Sequence, residues 1–230
     1  MDKGYSSALQ RLKEEREKWN LTQRMLCYHM KIQQSRLSKA ETGNRYFSYH
    51  ELEGLCTSDV DVFYVFTGKR PKNPLKFLDP LKVAPEELMC YLNVVYLLAS
   101  AVKGTNRDNT AFSQIRQQLE YIQYCFGNIE PTNNIFYRLR NRYDYTQQKM
   151  ANVMGMDIKK LQRLEKGVRL PDSEVIWKMY DLFHVSPAFV LRDAKGLWNE
   201  LNYELELLDD NDREVMAQIL ENAFSFMRPR

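Results

Sequence analysis

The chain has 230 residues, 44% of them apolar, and a formal net charge of +3. That length and composition imply one large or two ordinary domains with a buried core, and they argue against a disordered chain. The net charge is too small to announce a partner, so its distribution along the chain carries more information.

Apolar residues recur at three and four rather than at two, which predicts helices throughout. The first basic stretch runs from Leu9 to Arg45, with nine Lys/Arg against four Asp/Glu. It contains "TQRMLCYHMKIQQSRLSKAETG", Thr22 to Gly43. The segment "GKRPKNP", Gly68 to Pro74, reads as a linker. Leu88, Leu92, Val95, Ala99 and Val102 form one apolar stripe on a helix starting near Pro85. Phe112, Ile115, Leu119, Ile122 and Phe126 form a second, set off by Gly104 and closed by Gly127 and Pro131. The second basic stretch, Ile135 to Leu170, carries nine Lys/Arg against three acids and contains "TQQKMANVMGMDIKKLQRLEKG", Thr146 to Gly167. From Glu200 to Glu214 one Arg faces seven acids.

Cys27, Cys56, Cys90 and Cys125 are scattered, as expected of reduced thiols in a cytosol rather than of a disulfide frame or zinc site. No apolar N-terminal region reads as a signal peptide. The run "VVYLLASAV" from Val94 is too short to span a bilayer, so no membrane partner is expected. His29, His50 and His184 lack metal-ligand spacing. No phosphate loop, paired-carboxylate constellation or nucleophile elbow is present. No catalytic residue, metal or cofactor is therefore predicted.

The two quoted stretches align without a gap at an offset of 124 residues and share Thr22/Thr146, Gln23/Gln147, Met30/Met154, Leu37/Leu161, Glu41/Glu165 and Gly43/Gly167. Each reads as a pair of helices. In the second, Thr146 is placed to cap a helix whose Met150, Ala151 and Met154 face inward. Gly155 permits a sharp turn. Asp157 is placed to cap the next helix, with Leu161 and Leu164 inward. Lys159, Lys160 and Arg163, with Gln162 and Lys166 beside them, then lie outward. Two helices joined by a tight Gly turn make a helix-turn-helix, whose second helix fits the DNA major groove.

Both stretches resemble the phage-repressor type of helix-turn-helix, the Cro/repressor (XRE-like) family. The second supplies Arg140, Thr146-Gln147, Met150-Ala151, Gly155 and Glu165-Lys166-Gly167; the first supplies Arg16, Thr22-Gln23, Leu26-Cys27 and Glu41-Thr42-Gly43. The resemblance implies an all-α chain with two five-helix modules joined by a helical bridge. The expected division is 1–68 first module, 69–104 linker and a helix packing on it, 105–130 bridging helix, 131–194 second module and 195–230 C-terminal helices. It further implies a regulator of transcription from a bacterium, phage or mobile element that binds double-stranded DNA and is not an enzyme.

By position, Gln34, Ser35 and Lys39, with Gln33 and Arg36 adjacent, would meet bases in the first module. Ile158, Lys159 and Arg163, with Lys160 adjacent, would do so in the second. Gln23, Asn44, Arg45, Gln147, Lys166 and Arg169 would meet phosphates. Arg16–Glu41 and Arg140–Glu165 would be structural ion pairs. The stripe at 108–126 leaves core packing and a homodimer interface both open. The first module departs from the family pattern at Lys31, in place of the turn Gly, and at Glu15, in place of an apolar residue. Those departures keep open an alternative in which it contacts protein, as an adaptor or antitoxin-like partner would.

Overall fold

The computed structural model describes residues 3–76 and 134–227; the predicted stripes between Pro85 and Phe126, the 69–104 helix and the bridging helix lie outside them. Every regular element among the described residues is helical. Five helices make the first unit: α1 (Lys3–Lys18), α2 (Gln23–Met30), α3 (Gln34–Glu41), α4 (Tyr49–Cys56) and α5 (Val62–Thr67). Five more follow: α6 (Ile135–Arg142), α7 (Gln147–Val153), α8 (Ile158–Glu165), α9 (Ser173–Phe183) and α10 (Pro187–Leu191). The chain continues through α11 (Ala194–Leu205) and α12 (Asp210–Met227).

The helix starts are set by side chains that accept from orphan backbone N–H groups. Thr22 caps α2 and Thr146 caps α7. Ser48 and Glu51 form a reciprocal capping box on α4. The helix ends are set by left-handed residues, and four of them recur at the 124-residue offset. They are Asn20 and Asp144, Lys31 and Gly155, Gly43 and Gly167, and Gly68 and Arg192, all with φ between 50° and 79°.

Two apolar cores lie among the described residues of the two units. One gathers Leu12, Leu26, Leu37, Phe47 and Leu52 with Ile176, Trp177 and Leu191 from the second set of helices. The other gathers Phe136, Leu139, Met150, Leu161, Leu164 and Met179. The units are therefore docked, with α9 and α10 contributing to the first core. Ser173 Oγ accepts from Phe47 N at 2.9 Å and bonds the Tyr5 hydroxyl at 2.5 Å. The Tyr49 hydroxyl donates to Val190 O at 3.1 Å. Trp177 approaches α1 closely because residue 4 is glycine; a Cβ there would sit 2.4 Å from the indole. Contacts between the units are reciprocal: α5 meets α10, α5 meets α9, and α4 meets α10.

The α11 helix packs on α5 and α10. Lys195 donates to Ser58 O and Val60 O, both at 2.7 Å, and Asn199 donates to Asp61 at 2.8 Å. The stretch read as a linker is held against this helix. Glu206 accepts from Lys72 N and Asn73 N at 2.9 and 2.6 Å, and Asn202 accepts from Leu75 N at 2.6 Å.

Candidate nucleic-acid interface

In the second unit α8 is two-faced. Leu161 and Leu164 are buried in the core, while Lys159, Arg163 and Lys166 are exposed. Asp157 Oδ1 accepts from Lys159 N at 2.8 Å and starts the helix. Lys159, Arg163 and Lys166 make no ion pair among the described residues, so their charge faces solvent. Lys149 on α7 is also exposed, with its ammonium 4.2 Å from the Tyr145 ring centroid.

The helix is locked to its neighbours by a chain of polar contacts. Arg140 Nε donates to Glu165 Oε1 at 2.5 Å, and Arg140 also donates to Tyr145 O at 3.0 Å. The other Glu165 oxygen accepts from Gln147 Nε2 at 2.6 Å. Gln147 Oε1 in turn accepts from Gln162 Nε2 at 3.2 Å. Glu165 is buried, so this chain joins α6, α7 and α8 where water competes little.

The first unit repeats the arrangement with one change. Arg16 Nε donates to Glu41 at 3.0 Å, and Gln23 Nε2 donates to the other Glu41 oxygen at 2.7 Å. Here Gln23 Oε1 accepts from Gln34 Nε2, at 3.1 Å. Gln33, Gln34, Ser35 and Lys39 are exposed along α3, as is Asn44 beyond it.

Four of the cations expected to contact DNA are tied to acids. Arg36 pairs with Glu51 at 3.0 Å and Arg45 pairs with the same carboxylate at 2.6 Å. Lys160, which follows Arg36 by 124 residues, pairs with Asp172 at 3.0 Å and Glu174 at 3.4 Å. Arg169, the counterpart of Arg45, meets Asp172 at 3.3 Å. The Arg36 and Lys160 pairs clamp each outward helix to the start of the one that follows it, and Arg45 and Arg169 add pairs from the connecting loops. Burial pushes the Glu51 carboxyl up, but Arg45, the Ser48 backbone and Arg36 outweigh it and hold it below its ordinary value. Burial likewise raises Glu174, and Lys178 with Lys160 reverses the direction. Ile158 is half-buried against the second core. The Lys160 clamp, the Ile158 packing and the Gln162 bond all depend on contacts across 12 residues or more, or on tertiary packing, which periodicity does not reveal.

Comparison with protein families matches residues 136–190 to a helix-turn-helix family model. This match supports a helix-turn-helix similar to the XRE/Cro type at residues 136–190. The match runs from α6 into α10 and takes in the α7–turn–α8 pair with its exposed cations. Comparison with curated proteins and with solved structures gave no match. Among the described residues no helix is long and apolar enough to cross a membrane.

Proposed function

We propose that this chain is a sequence-specific double-stranded DNA-binding regulator that reads the major groove with two unlike recognition helices, α3 and α8. The carrying observation is α8 itself: Lys159, Arg163 and Lys166 are exposed on a helix anchored by buried Leu161 and Leu164. An exposed rod with charge on one face supplies both phosphate attraction and Arg or Lys donors for guanine. On this reading Lys159 and Arg163 meet bases and Lys166 meets phosphate. In the first unit Gln33, Gln34, Ser35 and Lys39 meet bases and Asn44 meets phosphate. Arg36, Arg45, Lys160 and Arg169 act first as clamps on helix position.

The recurrence of left-handed residues at one offset supports treating α1–α5 as a second helix-turn-helix unit in tandem. Reciprocal packing of α4 and α5 with α9 and α10 supports an intrachain counterpart of a dimer. Such a pair would engage two half-sites about 34–36 Å apart. The half-sites differ, because α3 presents Gln34 and Ser35 where α8 presents Ile158 and Lys159.

A different feature favours a protein contact for the first unit. Met25 and Tyr28 are 49% and 84% exposed on α2, where the second unit has Lys149 and Asn152 at the 124-residue offset. In that reading only α8 reads DNA.

The direct test is Lys159→Ala with Arg163→Ala, measured against a panel of single-base operator variants. Discrimination at the contacted pairs should fall by about 1–3 kcal/mol per lost contact. Unchanged discrimination would remove α8 as a reading helix.

A further inference from the structure

Gln34 and Gln162 hold the same kind of bond from different turns of their helices. Each donates one Nε2 hydrogen to the glutamine that opens the preceding helix, Gln23 or Gln147. That glutamine is itself fixed by donating to a buried or half-buried glutamate. Gln34 opens α3, whereas Gln162 sits one turn into α8. The residues at the exchanged positions are Ile158, packed on the core, and Ser38.

The bond orients the Gln162 amide. One N–H is used, and the carbonyl oxygen and second N–H have no partner among the described residues. Gln162 lies between Lys159, three residues before it, and Lys166, four after it, both exposed. An amide with one free donor and one free acceptor side by side is the pattern that pairs with adenine N7 and N6 in the major groove. Pre-orientation lowers the ordering cost of that contact.

We infer that Gln162 is a specificity-determining residue of the second unit, reading an adenine with an amide positioned by Gln147. This rests on the DNA-binding reading and extends it. Gln34 and Gln162 reach the equivalent glutamine from different turns, so the amide is held at a comparable place in each unit although its position in the helix differs.

The test uses the full chain and a duplex selected from a random pool, with each adenine replaced in turn by 7-deazaadenine, which lacks the N7 acceptor. At one adenine in the α8 half-site the replacement should weaken binding by the wild-type chain about 10-fold. Gln162→Ala should be indifferent to that replacement and keep the penalty at the Gln34 adenine. If the wild-type chain senses N7 at no adenine of that half-site, the inference fails, whatever the variant does. It fails equally if Gln162→Ala retains every wild-type penalty and only weakens binding uniformly. A pool that yields no preferred duplex would overturn the DNA-binding reading and this inference together.

Discussion

Lys31 shows how much one backbone angle can be held by its surroundings. It ends α2 at φ 54°, the conformation that Gly155 adopts at φ 56° after α7. A left-handed non-glycine residue costs about 1–2 kcal/mol. The turn forms regardless, because Leu26 and Met30 on one side and Leu37 on the other are fully buried in the same core. Lys31→Gly should therefore stabilise the chain by about 0.5–1 kcal/mol, the relief of strain less the entropy glycine adds to the unfolded state. Gly155→Ala should lower stability by about 1 kcal/mol. Its Cβ would meet only Lys178 Nζ at 3.6 Å, so φ strain and not a clash sets the loss. Thermal unfolding of the two variants checks both signs.

Other residues were less legible. The alternation of apolar positions and the hydroxyl or carboxylate at Thr146 and Asp157 were readable because caps and helix faces are local. Glu15 was not. It occupies the position of Leu139, yet it is 1% exposed. It accepts from Asp61 N at 3.1 Å and from the Arg70 guanidinium, 55 residues away. An acid in an apolar slot looks like a defect until its distant cation is seen. Gln162 was legible as an outward residue, but its bond to Gln147 depends on how α7 crosses α8.

At the scale of elements, α11 explains why the 68–74 stretch is not a free tether. Glu206 at its end accepts from Lys72 N and Asn73 N, Asn202 accepts from Leu75 N just beyond the stretch, and Arg213 on α12 donates to Asn73 O at 2.5 Å. The composition of "GKRPKNP" predicts a linker because its glycine and prolines cannot continue a helix; it carries no information about the carboxylate that receives its N–H groups. The helix also brings a pH response. Burial raises Asp193, its N-cap residue, to about 6, against the Lys195 charge and backbone bonds from Gly196 and Lys195. Burial raises Glu204 to about 7, with Lys69 opposing. One oxygen of each has no hydrogen-bond partner among the described residues.

Both carboxyls bind protons more tightly when folded than the ordinary values of 3.8 and 4.5. Between pH about 4 and 7 the folded chain holds protons that the unfolded chain has released, so stability falls as pH rises through that window. Glu51 and Glu174 have the opposite sign, and their contribution is lost below their ordinary range. Melting temperature should therefore drop between pH 5 and pH 7.5. Glu204→Gln, which keeps the shape of the neutral acid, should flatten that slope and raise stability at pH 8 by about 1–2 kcal/mol. A melting temperature that climbs steadily from pH 5 to pH 8 would contradict the assignment.

For the whole molecule, the offset of 124 residues says that the two stretches share a chain path, and nothing about how they sit together. Their docking comes from residues outside the repeat's identities. Ser173, Trp177, Tyr5 and Lys195 have no matching residue at the offset in the other unit, and together they seat α9 and α11 on the first unit. Packing of this kind fixes the separation and direction of α3 and α8, and so fixes which duplexes both can touch at once.

The measurement closest to the central claim is a hydroxyl-radical footprint of the full chain on a duplex selected from a random pool. The account predicts protection of two unlike half-sites on one face of the duplex, centred about one helical turn apart, 34–36 Å. Protection confined to a single half-site, or selection of no sequence at all, would contradict it.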